Sequence, residues 1–293
     1  MRNNILPSTT LRRLKAEIPH GDSLLGDNRK LRPMVTISFD DGYDSDYNVV
    51  FPIFQELGIR GTFFAIGGSG FSEKPYKTSA EQYKEMNQLG QEIGCHSASH
   101  IPFFLEDSSV IYEDLAASIQ NLENEIGTKI LTHAYPYGGG DILSGQATNE
   151  DARRLHVVAS GLYEAARGTS KFTTTYPYGG KDVNHTFYRE TYLTPYGAPD
   201  TFNIPCHLAD GTPNWVYLMI DYLLELEEPA WYNLAFHRVY PDGATNKPDD
   251  RLFRADFLNA IQYIADKRDQ GLLDIVPFYE GARRIKGGNS KML

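Results

Sequence analysis

The stretch "MVTISFDDGYDSD" at residues 34–46 decides the fold. Its apolar and β-rich first half predicts a strand. The strand ends at Asp40, Asp41 and Gly42, so two carboxylates follow directly on buried backbone. Chemistry in parallel α/β barrels lies at the carboxyl ends of the strands. The stretch therefore predicts a parallel sheet with an acidic site at one edge.

Strand and helix patterns alternate along the rest of the chain. A helical pattern at 48–58 is followed by a strand pattern at 60–68, and Ser79 is a plausible N-cap for a helix over 79–90. A long amphipathic helix is predicted at 108–127. Further apolar runs end in polar or glycine residues at 129–139, 155–168, 231–239 and 272–281. This alternation predicts an α/β architecture with parallel strands.

Length and composition predict one large domain. The chain has 293 residues, 41% of them hydrophobic and 23% charged, which is the composition of a globular protein with a sizeable core. We predict an N-terminal arm at 1–32, a single catalytic domain at 33–285 and a C-terminal tail at 286–293. The predicted long irregular region at 168–215 is expected to lie over the mouth of the barrel, with the far side of the fold as the alternative.

Charge and hydropathy exclude some partners. The formal net charge of −10 and the isoelectric point near 5.3 argue against a nucleic-acid partner and favour a neutral or cationic substrate. The sequence has no run long enough to span a membrane, and its N-terminus lacks the apolar region of a signal peptide. Two cysteines, Cys95 and Cys206, leave open whether they form a disulfide.

The sequence "HSASH" at 96–100 offers two histidines for a metal site. Imidazoles four residues apart can share one face of a helical turn, and an aspartate from another strand end would complete three ligands. An isolated pair of this spacing is more often a pair of surface or core histidines. A zincin-type site is excluded, because that motif needs Glu after the first histidine and Ser97 stands there.

Four motifs in order carry a resemblance to a known family. They are "ISFDDG" (37–42), "HSASH" (96–100), "YPYG" (135–138) and "LAFH" (234–237). In this order they resemble the polysaccharide deacetylases, carbohydrate esterase family four, which are related to the nodulation-factor deacetylases. The resemblance spans about 34–240 and implies a distorted, TIM-like (β/α) barrel that removes acetyl groups from a sugar.

The resemblance also implies roles for individual residues. It makes Asp40 the catalytic base, it makes Asp41, His96 and His100 the ligands of a divalent metal, and it makes His237 the general acid. We expect zinc from this ligand set, with cobalt or nickel as alternatives. An amide leaving group must be protonated as it departs, and a histidine can deliver that proton near neutral pH.

The sequence repeats a Pro-Tyr-Gly step, and the position of each copy predicts which one works. The copy at 134–138 follows the histidine pair by one helix and one strand, as the third motif of the family does. We expect Pro136, Tyr137 and Gly138 to form a groove wall, with the Tyr137 backbone N–H donating to the oxyanion. The later copy at 175–182 is interpreted as a loop look-alike that can touch substrate.

The chain departs from the family pattern at Ala134. Many members carry an arginine at this position, where it pairs with the catalytic base, so we expect Arg167 to orient Asp40 instead. The acidic partner of the general acid is not evident from the motifs. We assign Asp210, with Trp215 nearby, to that role.

These observations predict an enzyme, specifically a metal-dependent deacetylase of an acetylated glycan that acts on an N-acetylhexosamine polymer. The alternatives are an O-acetyl esterase on a decorated polysaccharide such as xylan or capsule, and a catalytically silent carbohydrate-binding barrel. The substrate class suggests action at the cell surface or outside the cell, and the oligomeric state is open. His133, His156, His185 and His207 are expected to be structural or solvated.

Overall fold

The computed structural model describes residues 31–138, 149–168, 193–197, 201–202, 204–210, 213–244 and 252–287. Its strands are β1 (Met34–Asp40), β2 (Thr62–Ala65), β3 (Glu92–Cys95), β4 (Thr132–Ala134), β5 (Ala165–Arg167), β6 (Leu193–Pro195), β7 (His207–Leu208), β8 (Ala230–Phe236), β9 (Val239–Tyr240), β10 (Leu252–Phe253) and β11 (Asp274–Ile275). Its α-helices are α1 (Phe51–Leu57), α2 (Ala80–Gln88), α3 (Ser108–Ile126), α4 (Asn149–Ser160), α5 (Pro213–Glu225), α6 (Arg254–Asp269) and α7 (Phe278–Gly287).

The central sheet follows the order β5-β4-β3-β2-β1-β8. Neighbouring strands along this path are parallel, and β1 lies between β2 and β8 with every residue buried. A strand covered on both faces needs a continuous apolar run, which is the pattern that 34–39 carries. The sheet curls into a distorted (β/α) barrel, and the predicted fold class is confirmed.

One short segment connects the two edges of the sheet. Ile204 pairs with Arg167 at the outer edge of β5, and β7, which follows directly, pairs with β8. Strand β6 pairs antiparallel with the other end of β8. The region predicted as irregular therefore contributes strands, which corrects that expectation for its described part. Residues 169–192, which hold the later Pro-Tyr-Gly copy, lie outside the described residues.

Local sequence signals fix the helices that cover the sheet. Ser79 caps α2 through a capping box, in which Ser79 Oγ accepts from Gln82 N and Gln82 Oε1 accepts from Ser79 N. Helix α3 buries a stripe that includes Ile111, Leu115 and Leu122 and ends at a left-handed glycine. Both predicted helices are confirmed. Among the described residues, no helix is both long and apolar enough to cross a membrane.

Two hydrophobic clusters stabilise the barrel on opposite faces of the sheet. The larger cluster joins the strands to the surrounding helices, and Phe39 stacks there on Phe63 and Phe236. The smaller cluster gathers residues from β1, β2, β4, β5 and β8, with Trp231 packed on Phe278 of α7. The predicted division into arm, domain and tail remains a prediction.

Candidate active site

The predicted site residues lie at the carboxyl ends of the parallel strands. Asp40 is the last residue of β1 and Asp41 follows it, His96 follows β3, and Arg167 ends β5. Asp210 and His237 come shortly after β7 and β8. Because these strands run in parallel, their ends meet at one edge of the barrel, which is where an active site is expected.

Three predicted metal ligands converge at this edge. The ligand atoms of Asp41, His96 and His100 all lie within 4.8 Å of one another. His96 Nε2 is 3.5 Å and His100 Nε2 is 3.3 Å from Asp41 Oδ1. His96 Nδ1 lies 2.7 Å from the carbonyl oxygen of Ala134, to which it donates in the tautomer that leaves the lone pair on Nε2.

The chemistry of these three groups fits a divalent cation. Asp41 Oδ1 is buried without a hydrogen-bond donor among the described residues, so neighbouring imidazole nitrogens face an acceptor oxygen. Burial also lowers the pKa of His96 by more than Asp40 and Asp41 raise it, so His96 is neutral at neutral pH. Metal ligation requires neutral imidazole and ionised carboxylate. A carboxylate and two imidazoles make a typical catalytic zinc set with open positions.

The histidine pair lies in a strained loop that follows β3 directly. Ser97 and His100 have φ angles of 66° and 53°, and Asp41 and Tyr137 are also positive at 73° and 54°. These four are the non-glycine residues with positive φ in the described ranges. Strain of this kind costs about 1–3 kcal/mol per residue and clusters at functional sites.

Asp114 of helix α3 holds this loop, and sequence analysis missed it. Its carboxylate accepts from Ala98 N at 2.7 Å and from Ser99 N at 3.1 Å, and Ser99 Oγ also donates to it. His100 N donates to Ser97 Oγ at 2.8 Å. An aspartate inside an amphipathic helix resembles any solvated residue, so no sequence signal marked it.

Arg167 contacts the predicted base, as its position at the end of β5 led us to expect. Its Nη2 donates to Asp40 Oδ1, and both side chains are nearly inaccessible to solvent. Burial alone would raise the pKa of Asp40, but Arg167, with His96 and His237 nearby, lowers it to about 2. Asp40 is therefore ionised across the physiological range, which a proton acceptor requires.

The surroundings of Arg167 fix the guanidinium in place. Its Nη1 donates to the carbonyl oxygen of Gly168 at 3.2 Å and lies 2.7 Å from Cys206 Sγ. The guanidinium carbon also lies 5.1 Å from the ring centroid of Phe64. Ala134, at the position expected for an arginine, is fully buried. The arginine that contacts Asp40 is instead Arg167, on the neighbouring strand β5.

Asp210 pairs with His237. Asp210 Oδ2 lies 2.6 Å from His237 Nδ1, and Asp210 Oδ1 accepts from the His237 backbone N–H at 2.7 Å. Burial opposes the charged imidazolium, but the hydrogen bond and charge of Asp210 outweigh it and raise the pKa of His237 to about 9. His237 is therefore protonated at neutral pH with Nδ1 engaged, which leaves the Nε2 proton for donation.

The Pro136–Gly138 turn lies beside the metal ligands. The Tyr137 side chain is 58% exposed, and its ring centroid is 4.8 Å from that of His100. An exposed aromatic ring at a site entrance can pack against the apolar face of a sugar. The role predicted for the Tyr137 backbone N–H remains a prediction.

The remaining candidates have structural surroundings. Trp215 is half-buried against the larger cluster, and its assignment to the site stays a prediction. His133 is buried and stacks on Tyr163, and His207 lies 2.6 Å from the Tyr232 hydroxyl. Both cysteines are free and buried. His185 lies outside the described residues.

Fold and site together define a (β/α) barrel with a candidate metal centre between a base and an acid. Residues 27–158 match the family model described as "Polysaccharide deacetylase". The match agrees with the family resemblance that the motifs carry. The matched region contains Asp40, Asp41, both histidine ligands and the 136–138 turn, whereas Arg167, Asp210 and His237 lie beyond it.

Two relatives and one solved structure are similar to the chain. "Putative polysaccharide deacetylase YxkH" of Bacillus subtilis (strain 168) is 30% identical over 115 residues, which are 39% of this chain and 40% of that protein. "Bifunctional xylanase/deacetylase" of Pseudobutyrivibrio xylanivorans is 23% identical over 112 residues, 38% of this chain and 18% of that protein. The matches thus span less than half of either relative.

The solved structure extends the likeness over the whole fold. It is the Xyl-CE4 domain of a multidomain xylanase from the hindgut metagenome of Trinervitermes trinervoides. The TM-score is 0.50 at 15% identity, and the match covers 88% of this chain and 92% of that one. At this identity the likeness concerns the fold alone.

Proposed function

We propose that this protein is a metal-dependent hydrolase that removes acetyl groups from a carbohydrate. The observation that carries the proposal is the arrangement at the strand ends. There, a three-ligand centre of Asp41, His96 and His100 lies between an ion-paired Asp40 and an aspartate-bound His237. The family match over 27–158 supports carbohydrate deacetylation as the class of reaction.

Each residue has a task in the hydrolysis. A divalent ion, proposed to be zinc, supplies Lewis acidity, which acidifies water and polarises a carbonyl oxygen when it is bound. Asp40, kept ionised by Arg167, accepts a proton from the attacking water at its carboxylate. Arg167 stays buried and fixes the direction in which that carboxylate points.

His237 acts at the other end of the reaction. An expelled amine anion is a very poor leaving group, so cleavage of an acetamide needs a proton on the departing nitrogen. His237 carries that proton on Nε2, because Asp210 holds Nδ1 and raises the pKa of the ring to about 9. A well-held general acid favours an amide substrate, and we propose an N-acetylhexosamine-containing polysaccharide, which places the action at the cell surface or outside the cell.

An O-acetyl esterase is the second candidate function. One relative is named as a bifunctional xylanase/deacetylase, which favours a decorated polysaccharide as a substrate to test. An ester releases a better leaving group and needs less help from His237. The substitution His237→Ala should therefore reduce acetate release from an amide far more than release from an ester. Equal losses on both substrates would contradict this distinction.

The test is acetate release by the full chain from N-acetylglucosamine oligomers and from acetylated xylan. The protein is assayed as purified, after chelation and after zinc is restored, beside Asp40→Asn. Zinc-restored release from the oligomers that Asp40→Asn lacks would support the deacetylase and the base together. Release only from xylan would support the esterase, and retained metal without release from either would leave the silent barrel.

A further inference from the structure

A second cavity adjoins the candidate metal centre. It lies between the segment after β1, the connection from β2 to α2, and the start of the histidine loop, and its volume is about 60 Å³. Asp41 and Gly42 form one wall, and Lys74 and Lys77 line it from the β2–α2 connection. The cavity therefore shares Asp41 with the metal centre but is built by residues that the hydrolysis does not use.

A buried hydroxyl group without a partner points to a ligand in this cavity. The Tyr83 side chain is 1% exposed, and its hydroxyl makes no hydrogen bond of normal geometry within the described part of the chain. A Cβ atom on Gly42 would lie 2.2 Å from this oxygen, so only glycine lets the tyrosine reach the wall. A buried polar group left without a hydrogen bond destabilises the fold, so a ligand that accepts from Tyr83 would remove that cost.

Two lysines give the cavity its charge. Lys77 Nζ donates to the backbone oxygen of Asp41 at 2.8 Å and lies 4.3 Å from the Tyr43 ring centroid. An ammonium group has three N–H donors, so one hydrogen bond leaves donor capacity. Lys74 adds a second ammonium group to the lining, and Ser69 adds a hydroxyl. Tyr83 can also donate, so the polar side chains on this side of the cavity offer donors to an anion.

Nearby acidic groups do not cancel this charge. Asp44 is paired with Arg238 at 2.9 Å, and the Asp41 carboxylate faces the two histidines. Asp46 is fully buried, and burial together with the neighbouring aspartates raises its pKa well above the usual range despite Lys77. This rise favours the uncharged form of Asp46, and the two lysines are a local exception in a chain of net charge −10.

We propose that this cavity is a subsite for a carboxylate of the substrate, so that the preferred glycan is acidic, with a uronic acid at or next to the acetylated residue. The inference rests on the proposed function for the identity of the ligand as a glycan. A volume of about 60 Å³ is several times the roughly 10–15 Å³ that one water molecule needs, so the cavity has room for a carboxylate group. Net charge alone favoured a neutral or cationic substrate, and the local arrangement reverses that expectation.

The test is an NMR titration that measures the affinity of the purified chain for glucuronate and for glucose. We expect glucuronate to bind more tightly than glucose. Lys77→Gln should weaken glucuronate binding about 10-fold to 100-fold, because a charged hydrogen bond is lost. Tyr83→Phe, which keeps the ring, should weaken it about 3-fold to 10-fold. Lys84→Gln on the exposed face of α2 is the matched control and should leave binding unchanged.

Two results would overturn the subsite: glucuronate binding no tighter than glucose, or equal weakening by Lys77→Gln and Lys84→Gln. Acetate release from neutral and uronate-containing acetylated oligosaccharides separates this inference from the proposed function. Selective glucuronate binding without acetate release would retain the subsite and contradict the deacetylase. Release from neutral glycans, with no glucuronate binding, would support the deacetylase and contradict the subsite.

Discussion

The two halves of the chain contribute to the candidate site in different ways. The first half supplies it through contiguous motifs at 40–42, 96–100 and 136–138, all within the region that matches the family model. The second half supplies single residues, Arg167 and His237 among them, each at the end of a different strand. The motifs reveal the family, whereas the isolated residues set the charge states of the base and the acid.

The difference shows that the candidate site is assembled from strands on both sides of the barrel. Asp40 comes from β1, but the group that lowers its pKa comes from β5, 127 positions later. The backbone of Arg167 also pairs with Ile204, which lies just before β7. The first half can therefore present the metal ligands, but it cannot by itself orient the base.

The largest expected effect belongs to the first half. Asp41→Asn removes the charged member of the proposed Asp41, His96 and His100 ligand set. Loss of a residue that only orients a ligand lowers metal affinity about 10-fold to 100-fold, and we expect a larger decrease for loss of the ligand itself. Acetate release should fall below detection with it. Metal content by elemental analysis and acetate release measure the two effects.

Asp44→Asn is the matched control for that substitution. It lies three residues along the same acidic stretch and forms a partly exposed pair with Arg238, which should contribute at most about 1 kcal/mol. We expect this variant to keep its metal and its activity. Equal metal loss in both variants would contradict the assignment of Asp41 as a ligand.

The next effect tests the second half through stability. Arg167→Met leaves the Asp40 carboxylate buried and unpaired, and breaking such a pair costs about 3–5 kcal/mol. We expect that decrease in the free energy of unfolding, measured by urea denaturation, together with a large loss of acetate release. Arg60→Met removes an exposed partner of Glu280 and should cost at most about 1 kcal/mol.

A double-mutant cycle with Asp40→Asn sharpens this prediction. If the two side chains interact directly, the double variant should be more stable than the sum of the single losses predicts, by about 0.5–3 kcal/mol. Additive losses would mean that Arg167 acts on the fold alone. Arg167 would then not replace the arginine that was expected at position 134.

Much of the fold and most residues of the candidate site could be predicted from sequence, the latter through the family resemblance. Strand β1 and helices α2 and α3 follow from local periodicity and capping, which are properties of neighbouring residues. The pairing of Arg167 with Ile204 and the hold of Asp114 on the histidine loop depend on contacts distant in sequence. The positive φ angles of Ser97 and His100 could not be predicted either, because the spacing of two histidines does not specify the backbone between them.

A smaller effect is expected from the partner of the general acid. Asp210→Asn removes the charge that raises the pKa of His237 to about 9, so this pKa should return toward the usual value near ~6.5. The acid must be protonated to act, so the alkaline limb of kcat/KM should move to lower pH. A profile that keeps its alkaline limb would show that another group titrates there.

The Asp210–His237 pair should also make the free energy of unfolding depend on pH, in the opposite direction to an ion-paired carboxylate. The folded pKa of His237 lies above the usual value. The contribution of the pair is therefore fully present below about pH 6.5 and is lost as the pH rises through about 9. Asp210→Asn should remove this part of the pH dependence of unfolding. An unchanged dependence would mean that the pair forms only in the substrate complex.

The smallest effect is expected in the first half of the chain, from Asp114, which lies outside the motifs but holds the histidine loop. Asp114 accepts hydrogen bonds from both Ala98 N and Ser99 N, one on each oxygen. In Asp114→Asn the amide nitrogen takes the place of one oxygen and cannot accept. The strained loop then loses part of its support, and His100 should be held less firmly. We expect metal affinity to fall up to about 10-fold, the lower end of the range for outer-shell partners.

Competition with a zinc chelator measures that affinity. The control is Asp107→Asn, at the N-cap of α3 and about two turns before Asp114. The Asp107 side chain makes no capping hydrogen bond to α3, so its variant should bind metal normally. If Asp114→Asn also binds metal normally, the β2–β3 framework alone fixes the histidines. If its affinity falls as far as that of Asp41→Asn, the loop has no order of its own. An intermediate loss would mean that Asp114 of helix α3 stabilises the two positive φ angles of the loop. A residue outside all four motifs would then contribute to metal binding.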